Sequence, residues 1–169
     1  PAIMHYKTEL ANRGLAVIDA KASQPTLLWL LMKDRNIVDP LYNSIFETNL
    51  DFYTEVASRL NLPDRAAAKK LFMYWLNSRG YVPDAGIHTL FPVASKFIKK
   101  LKRGNYKDSP AYLQQKEAAI WIDDLLENIP VEFALPIHDS LIVKQEHLEP
   151  VLAYCKTKYP LISFETEAL

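Results

Sequence analysis

Runs and periodicities of apolar residues divide the chain into elements. "LAVID" at 15–19 is an apolar run closed by an acid, which predicts a buried strand with Asp19 at its exit. In "SQPTLLWLLMKD" Leu27, Leu28, Leu31 and Met32 recur with a helical period, and Pro25 suits the first turn of that helix. "DPLYNSIFETNLDFYTEVASRLNL" reads as helical over much of its length, with a break near Asn49 and a stop at Leu62 and Pro63. Asp64 is placed to cap a helix over "RAAAKKLFMYWLNSR", and Gly80 to close it. Within residues 87–103 another helix is predicted from about Pro92 onward. Ser109 and Pro110 read as a cap and a first-position proline. They open a helix with an apolar stripe of Ala118, Ile122, Leu125 and Ile129, ended by Pro130.

The last third changes period. "LPIHDSLIV" at 135–143 reads as strand, tight polar corner, strand, with His138, Asp139 and Ser140 at the corner. A helix over roughly 147–158 and a strand in "LISFET" complete the pattern. The order of strand, several helices, hairpin, helix and strand predicts an α+β fold, with a small antiparallel sheet and helices segregated to one side or end.

The chain has 169 residues, enough for one domain with a sizeable core. Its apolar content of 49% and charged content of 24% are ordinary for a globular protein. Formal net charge is zero, so a contact with nucleic acid or membrane has to come from a local patch. Cys155 is the single cysteine, which excludes an internal disulfide and argues against a cysteine-based zinc site. Among Val151, Leu152 and Tyr154 it reads as a buried structural thiol. No apolar run approaches the length of a membrane span, and the sequence does not open on a signal-peptide pattern, so a cytoplasmic location is the expectation.

The candidate chemistry lies in two acids and one helix. Asp19 ends a predicted strand and Asp139 sits at a hairpin corner. An aspartate at such a corner often only serves the turn. Neighbouring strands would bring the two carboxylates side by side, and a divalent cation relieves the repulsion of such a pair. On the helix after Asp64, Arg65, Lys69 and Met73 share one face, while Ala68, Phe72 and Trp75 share another that packs inward. Arg and Lys one turn apart can grip a triphosphate, and a solvated basic stripe is the plainer alternative.

Taken together, these residues resemble the catalytic core of family A DNA polymerases and of the related phage-type single-subunit RNA polymerases. "VIDAKASQPTLL" resembles the first metal-binding motif, and "DFYTEVA" the segment that precedes the fingers helix. "RAAAKKLFM" resembles the Arg-x3-Lys-x3-Phe/Met pattern of that helix, and "LFPVASKFIKKLK" the Tyr-Pro helix after it. "YLQQKEAAIW" resembles the Gln-containing helix before the last motif, and "IHDS" the His-Asp-Glu or His-Asp-Ser hairpin. The resemblance covers roughly residues 15–159. It divides one catalytic domain, residues 1–169, into a palm of 1–35 and 110–169 and a fingers-like segment of 36–109.

The resemblance implies that Asp19 and Asp139 carry two metals, with magnesium as the ion. Arg65 and Lys69 would contact the phosphates of an incoming nucleoside triphosphate, Met73 its base or sugar, and Gln24 its ribose position. His138 would approach the primer terminus. Gln114 or Gln115, together with Asn77, would touch template or primer. Three departures stand out. Asn77 and Ser78 replace the Tyr-Gly that ends the family's fingers helix. Gln24 replaces the glutamate that crowds a 2′-hydroxyl, so the choice of sugar stays open. Residues for a thumb are not evident, which implies a fragment of a longer chain or a grip supplied by a partner.

Lys96, Lys99, Lys100, Lys102, Arg103 and Lys107 form a patch dense enough to track a phosphate backbone, or a solvated basic face. Besides a nucleotidyltransferase, the sequence admits a polymerase-derived nucleic-acid-binding module without synthesis, or a helical scaffold. The four histidines lack ligand spacing, and "HDS" in direct sequence forms no triad by itself. "ETE" at 165–167 reads as a solvated tail, with a third carboxylate near the sheet as the alternative.

Overall fold

The computed structural model describes residues 13–79 and 86–167. It is α+β. The elements are β1 (Leu15–Ala20), α1 (Ser23–Lys33), α2 (Pro40–Glu47), α3 (Phe52–Arg59), α4 (Arg65–Asn77), α5 (Ile87–Leu90), α6 (Pro92–Leu101) and α7 (Asp108–Ile120). A π-helical segment (Trp121–Leu126), β2 (Ala134–Ile137), β3 (Ser140–Lys144), α8 (Leu148–Lys158) and β4 (Phe164–Glu167) follow. The chain divides into two compact units, residues 1–23 with 117–169 and residues 24–116. The resemblance draws its palm and fingers boundaries after residues 35 and 109, whereas the units meet after Ser23 and Lys116. No helix among the described residues is long and apolar enough to cross a membrane.

The first unit holds an antiparallel sheet in the order β2-β3-β1-β4. Strand alternation sets its two faces. Ala16, Ile18 and Ala20 of β1 are buried, while Leu15, Val17 and Asp19 lie on the half-open face. Phe164 stands opposite Ala20, and its ring meets Trp121 edge-on at 5.8 Å. From α8, Val151 and Cys155 are fully buried, and burial pushes the Cys155 thiol up to about 11. The Tyr159 hydroxyl donates to Asp124 Oδ2 at 2.6 Å and Lys158 Nζ lies 3.3 Å from Oδ1, which ties the end of α8 to the π-helical segment.

That segment corrects the expected stripe. A π turn takes more residues than an α turn, so the inward phase shifts. Trp121 and Leu125 are buried, while Ile122 is 48% exposed. "LISFET" contributes a hydrogen-bonded edge strand, so Glu165 belongs to the sheet and is not part of a solvated tail.

The second unit is built around aromatic rings. Tyr42 lies 5.0 Å from Phe52 and 4.9 Å from Phe91, and Phe72 joins Phe52 at 5.3 Å and Trp75 at 5.5 Å. Edge-on and offset pairs of this kind add to area burial. Asp39 is fully buried, and its carboxylate serves two helices. Oδ1 accepts from the Tyr42 amide of α2, and Oδ2 accepts from the Val93 and Ala94 amides of α6 at 2.9 and 3.0 Å. It answers the positive end of both helix dipoles.

The break expected near Asn49 is present, at a left-handed φ of 53°. The stop comes earlier than Leu62 and Pro63: α3 ends at Arg59, and Asn61 turns the chain with φ 52°. Asp64 caps α4, accepting from the Ala67 amide at 2.7 Å. Gly80 lies outside the described residues. Ser109 does not cap α7, which already starts at Asp108. It is buried, and its hydroxyl donates to the Leu76 carbonyl at 2.8 Å, near the end of α4. Lys102 completes that end: its Nζ donates to the carbonyls of Trp75 at 2.9 Å and Ser78 at 3.0 Å. These bonds satisfy acceptors that a helix terminus leaves open. Burial holds the Lys102 ammonium below the ordinary lysine range.

Candidate active site

The strand that ends near Asp19 and the hairpin that carries Asp139 are paired in the sheet. Asp19 of β1 is paired with Ser140 of β3. The β2–β3 hairpin closes through His138 and Asp139 alone, with His138 at φ 54°, the left-handed conformation that two-residue hairpin tips favour. The Ala20 amide donates to the Asp139 carbonyl at 3.1 Å, which extends the ladder by one bond and fastens the tip to the exit of β1. Adjacent strands lie about 4.8 Å apart. Asp19 and Asp139 are both half-exposed, and His138 is exposed.

On the other side of β1, Glu165 of β4 stands opposite Asp19. Directly opposed residues of an antiparallel pair share a face, so Ser140, Asp19 and Glu165 form a row across it. Glu165 pairs with Lys21 Nζ at 3.6 Å. The sequence reading held Glu165 only as the alternative to a solvated tail, and did not single out Lys21. The strand itself was expected in "LISFET", but the register that sets Glu165 opposite Asp19 is not written in so short an alternation.

The donor set offered by the β1 exit and the adjacent hairpin turn is all oxygen, the carboxylates of Asp19 and Asp139. That suits magnesium, which takes few protein carboxylates and fills its octahedron with water and substrate phosphate. No three His, Cys, Asp or Glu side chains gather into one group among the described residues.

In the helical unit, α4 presents Arg65, Lys69 and Lys70 to solvent, with Met73 and Asn77 half-buried further along. Ala68, Phe72, Trp75 and Leu76 form its buried side, as the spacing requires. The Arg65 fork is engaged. Its Nε lies 3.1 Å and its Nη2 3.1 Å from the two oxygens of Asp51, and its guanidinium lies 5.1 Å from the Tyr53 ring centroid. Asp51 also caps α3 through the Thr54 amide at 2.8 Å. Partial burial would raise this carboxyl, but the hydrogen bonds from Arg65 and Thr54 prevail and hold it below the ordinary carboxylate range. Lys69 makes no ion pair among the described residues. The sequence motif around Asp51 was visible, but its partner was not, because fourteen positions separate the pair.

Gln24 is half-buried in the first turn of α1, and Gln114 and Gln115 are exposed on α7. Lys96, Lys99, Lys100, Arg103 and Lys107 are exposed, whereas Lys102 leaves the expected patch to cap α4. The neutral total conceals a segregation. Residues 24–116 carry 14 Lys and Arg against 8 Asp and Glu, and the sheet unit carries 6 against 12. No protein-family model matches the sequence, and no curated protein matches it.

Proposed function

We propose that this chain is the core of a template-directed nucleotidyltransferase of the family A DNA polymerase type. The observation that carries the reading is the placement of Asp19 at the exit of β1 and Asp139 in the turn of the neighbouring β2–β3 hairpin, with the hairpin tip bonded to the β1 exit. A carboxylate pair held there has a chemical use in phosphoryl transfer and little use in a scaffold. Asp19 and Asp139 hold magnesium in this reading, and the bound ions supply the charge that favours the attacking 3′-oxygen and the departing pyrophosphate.

The remaining residues position the reactants. Lys69, with Arg65, binds the triphosphate as a cationic face on α4, and Met73 lies against base or sugar. Gln24 meets the sugar. His138 approaches the primer end, and Asn77, Gln115, Lys99 and Lys100 contact primer or template. The protein's contribution is placement and fixed charge.

One observation favours a second reading, a polymerase-derived nucleic-acid-binding module without synthesis. Arg65 is already held by Asp51 and Tyr53, and a phosphate ligand has to compete with that carboxylate. Primer extension with magnesium separates the two readings. Nucleotide addition supports the enzyme. Primer–template binding without addition supports the binding module.

A further inference from the structure

The 92–107 segment carries six cations and no acid. Lys96, Lys99, Lys100 and Arg103 recur at i, i+3, i+4 and i+7, the spacing of one helical face. All four are exposed, opposite the buried Ala94, Phe97 and Ile98 of α6. Like charges at this spacing repel one another by a few tenths of a kcal/mol per pair. No acid within the segment offsets that cost, and the unit as a whole is cationic.

The turn after α6 adds an aromatic ring. Tyr106 is half-exposed, with the Arg79 guanidinium 5.7 Å and the Lys107 ammonium 5.9 Å from its ring centroid. Arg79 is brought there by the staple already described, since Lys102 grips the Ser78 carbonyl just before it. Cations for phosphates beside a ring for a base are the two components of single-strand binding surfaces. A duplex keeps its bases stacked inside and offers nothing to such a ring.

We infer that the outer face of α6 and the turn through Lys107 bind single-stranded nucleic acid, with Lys96, Lys99, Lys100 and Arg103 on the phosphates and Tyr106 stacked on an unpaired base. The inference rests on the proposed function only for the choice of nucleic acid as the polyanion. It uses neither Asp19 nor Asp139.

The test is fluorescence anisotropy of a labelled oligothymidylate of about 20 nucleotides with the full chain, without magnesium and across a salt series. Replacing Lys96, Lys99 and Lys100 together by Ala should lower the magnitude of the log-affinity against log-salt slope by about 2, because each phosphate contact on a single strand contributes about 0.7. Tyr106→Ala should weaken binding about tenfold at fixed salt with the slope unchanged, and Tyr106→Phe should retain it. Tighter binding of a duplex of equal length, or an unchanged slope in the triple variant, overturns the inference. Asp139→Asn should bind as the parent does, so a failure of synthesis leaves this result separately readable.

Discussion

The Ala20 amide donates to the Asp139 carbonyl at 3.1 Å. Through this bond the tip of one hairpin is fixed against the exit of the central strand, and the residue before Ala20 is Asp19. The backbone therefore holds the hairpin tip that carries Asp139 against the strand exit that carries Asp19.

Asp139→Asn should accordingly leave the fold intact and remove synthesis. The expected loss in extension rate is about a hundredfold or more, the scale for deleting one electrostatic stabiliser. The melting temperature should stay within a few degrees, as for a half-exposed substitution worth about 0.5 kcal/mol or less. Single-turnover extension and a thermal melt on the same preparation check both halves.

The two basic residues of α4 should separate. Lys69→Ala should raise the KM for nucleotide about tenfold with little change in stability, equivalent to about 1.4 kcal/mol of lost binding. Arg65→Ala removes the Asp51 pair and the Tyr53 contact as well, so it should also lower stability, by about 1 kcal/mol or less given its exposure. Steady-state kinetics beside urea denaturation distinguishes the two. Equal effects on stability would count against the distinct roles.

Asp39→Ala should be the most destabilising of the single changes considered. It strands the Tyr42, Val93 and Ala94 amides at the starts of α2 and α6 in a buried site. Each lost cap costs about 1 kcal/mol, and a buried unsatisfied donor about 1–3 kcal/mol, so a total loss of about 2–4 kcal/mol is expected. Asp39→Asn keeps one acceptor oxygen and should lose less. Urea midpoints give the comparison.

Much of this was legible in the sequence where local rules apply. The hairpin, the Asp64 cap, the turn at Asn49 and the inward set of Ala68, Phe72 and Trp75 follow from periodicity and turn chemistry. Three features were not legible because they depend on tertiary partners. Asp39 stood only as the first residue of a stretch read as helical, and it serves two helices. Ser109 looked like a cap and is a donor to another helix end. Lys102 looked like one more member of a basic stripe and points inward. The Ile122 misreading has a different cause, since a π turn breaks the assumed α period. At the candidate site, Asp19 was recognisable as an acid at a strand end and Asp139 as one at a hairpin corner, but the pairing of that strand with that hairpin needed the sheet order. Glu165 needed the register of β4.

Tyrosine ionisation should weaken the fold in alkali. Burial, followed by the nearby Tyr53 and Asp39, raises Tyr42 well above its ordinary value, and burial with the Asp124 hydrogen bond raises Tyr159. In the unfolded chain both ionise near pH 10, so their contribution is full below about pH 10 and is lost as pH rises towards the folded-state values. Lys102, lowered by burial, acts in the opposite sense up to the ordinary lysine value. The difference between parent and Tyr159→Phe isolates one group: the parent should lose stability more steeply from about pH 9 to about pH 11. Parallel curves would contradict the raised Tyr159.

The central claim is that Asp19 and Asp139 serve magnesium-dependent nucleotide addition. The most direct measurement is extension of a labelled primer on a template with magnesium, offering deoxynucleotides and ribonucleotides in separate reactions, for the parent and for Asp19→Asn. The account predicts extension by the parent, in a pattern that also settles the sugar, and none by Asp19→Asn. Extension that persists undiminished in Asp19→Asn, or a parent that binds primer–template and adds no nucleotide, would contradict it.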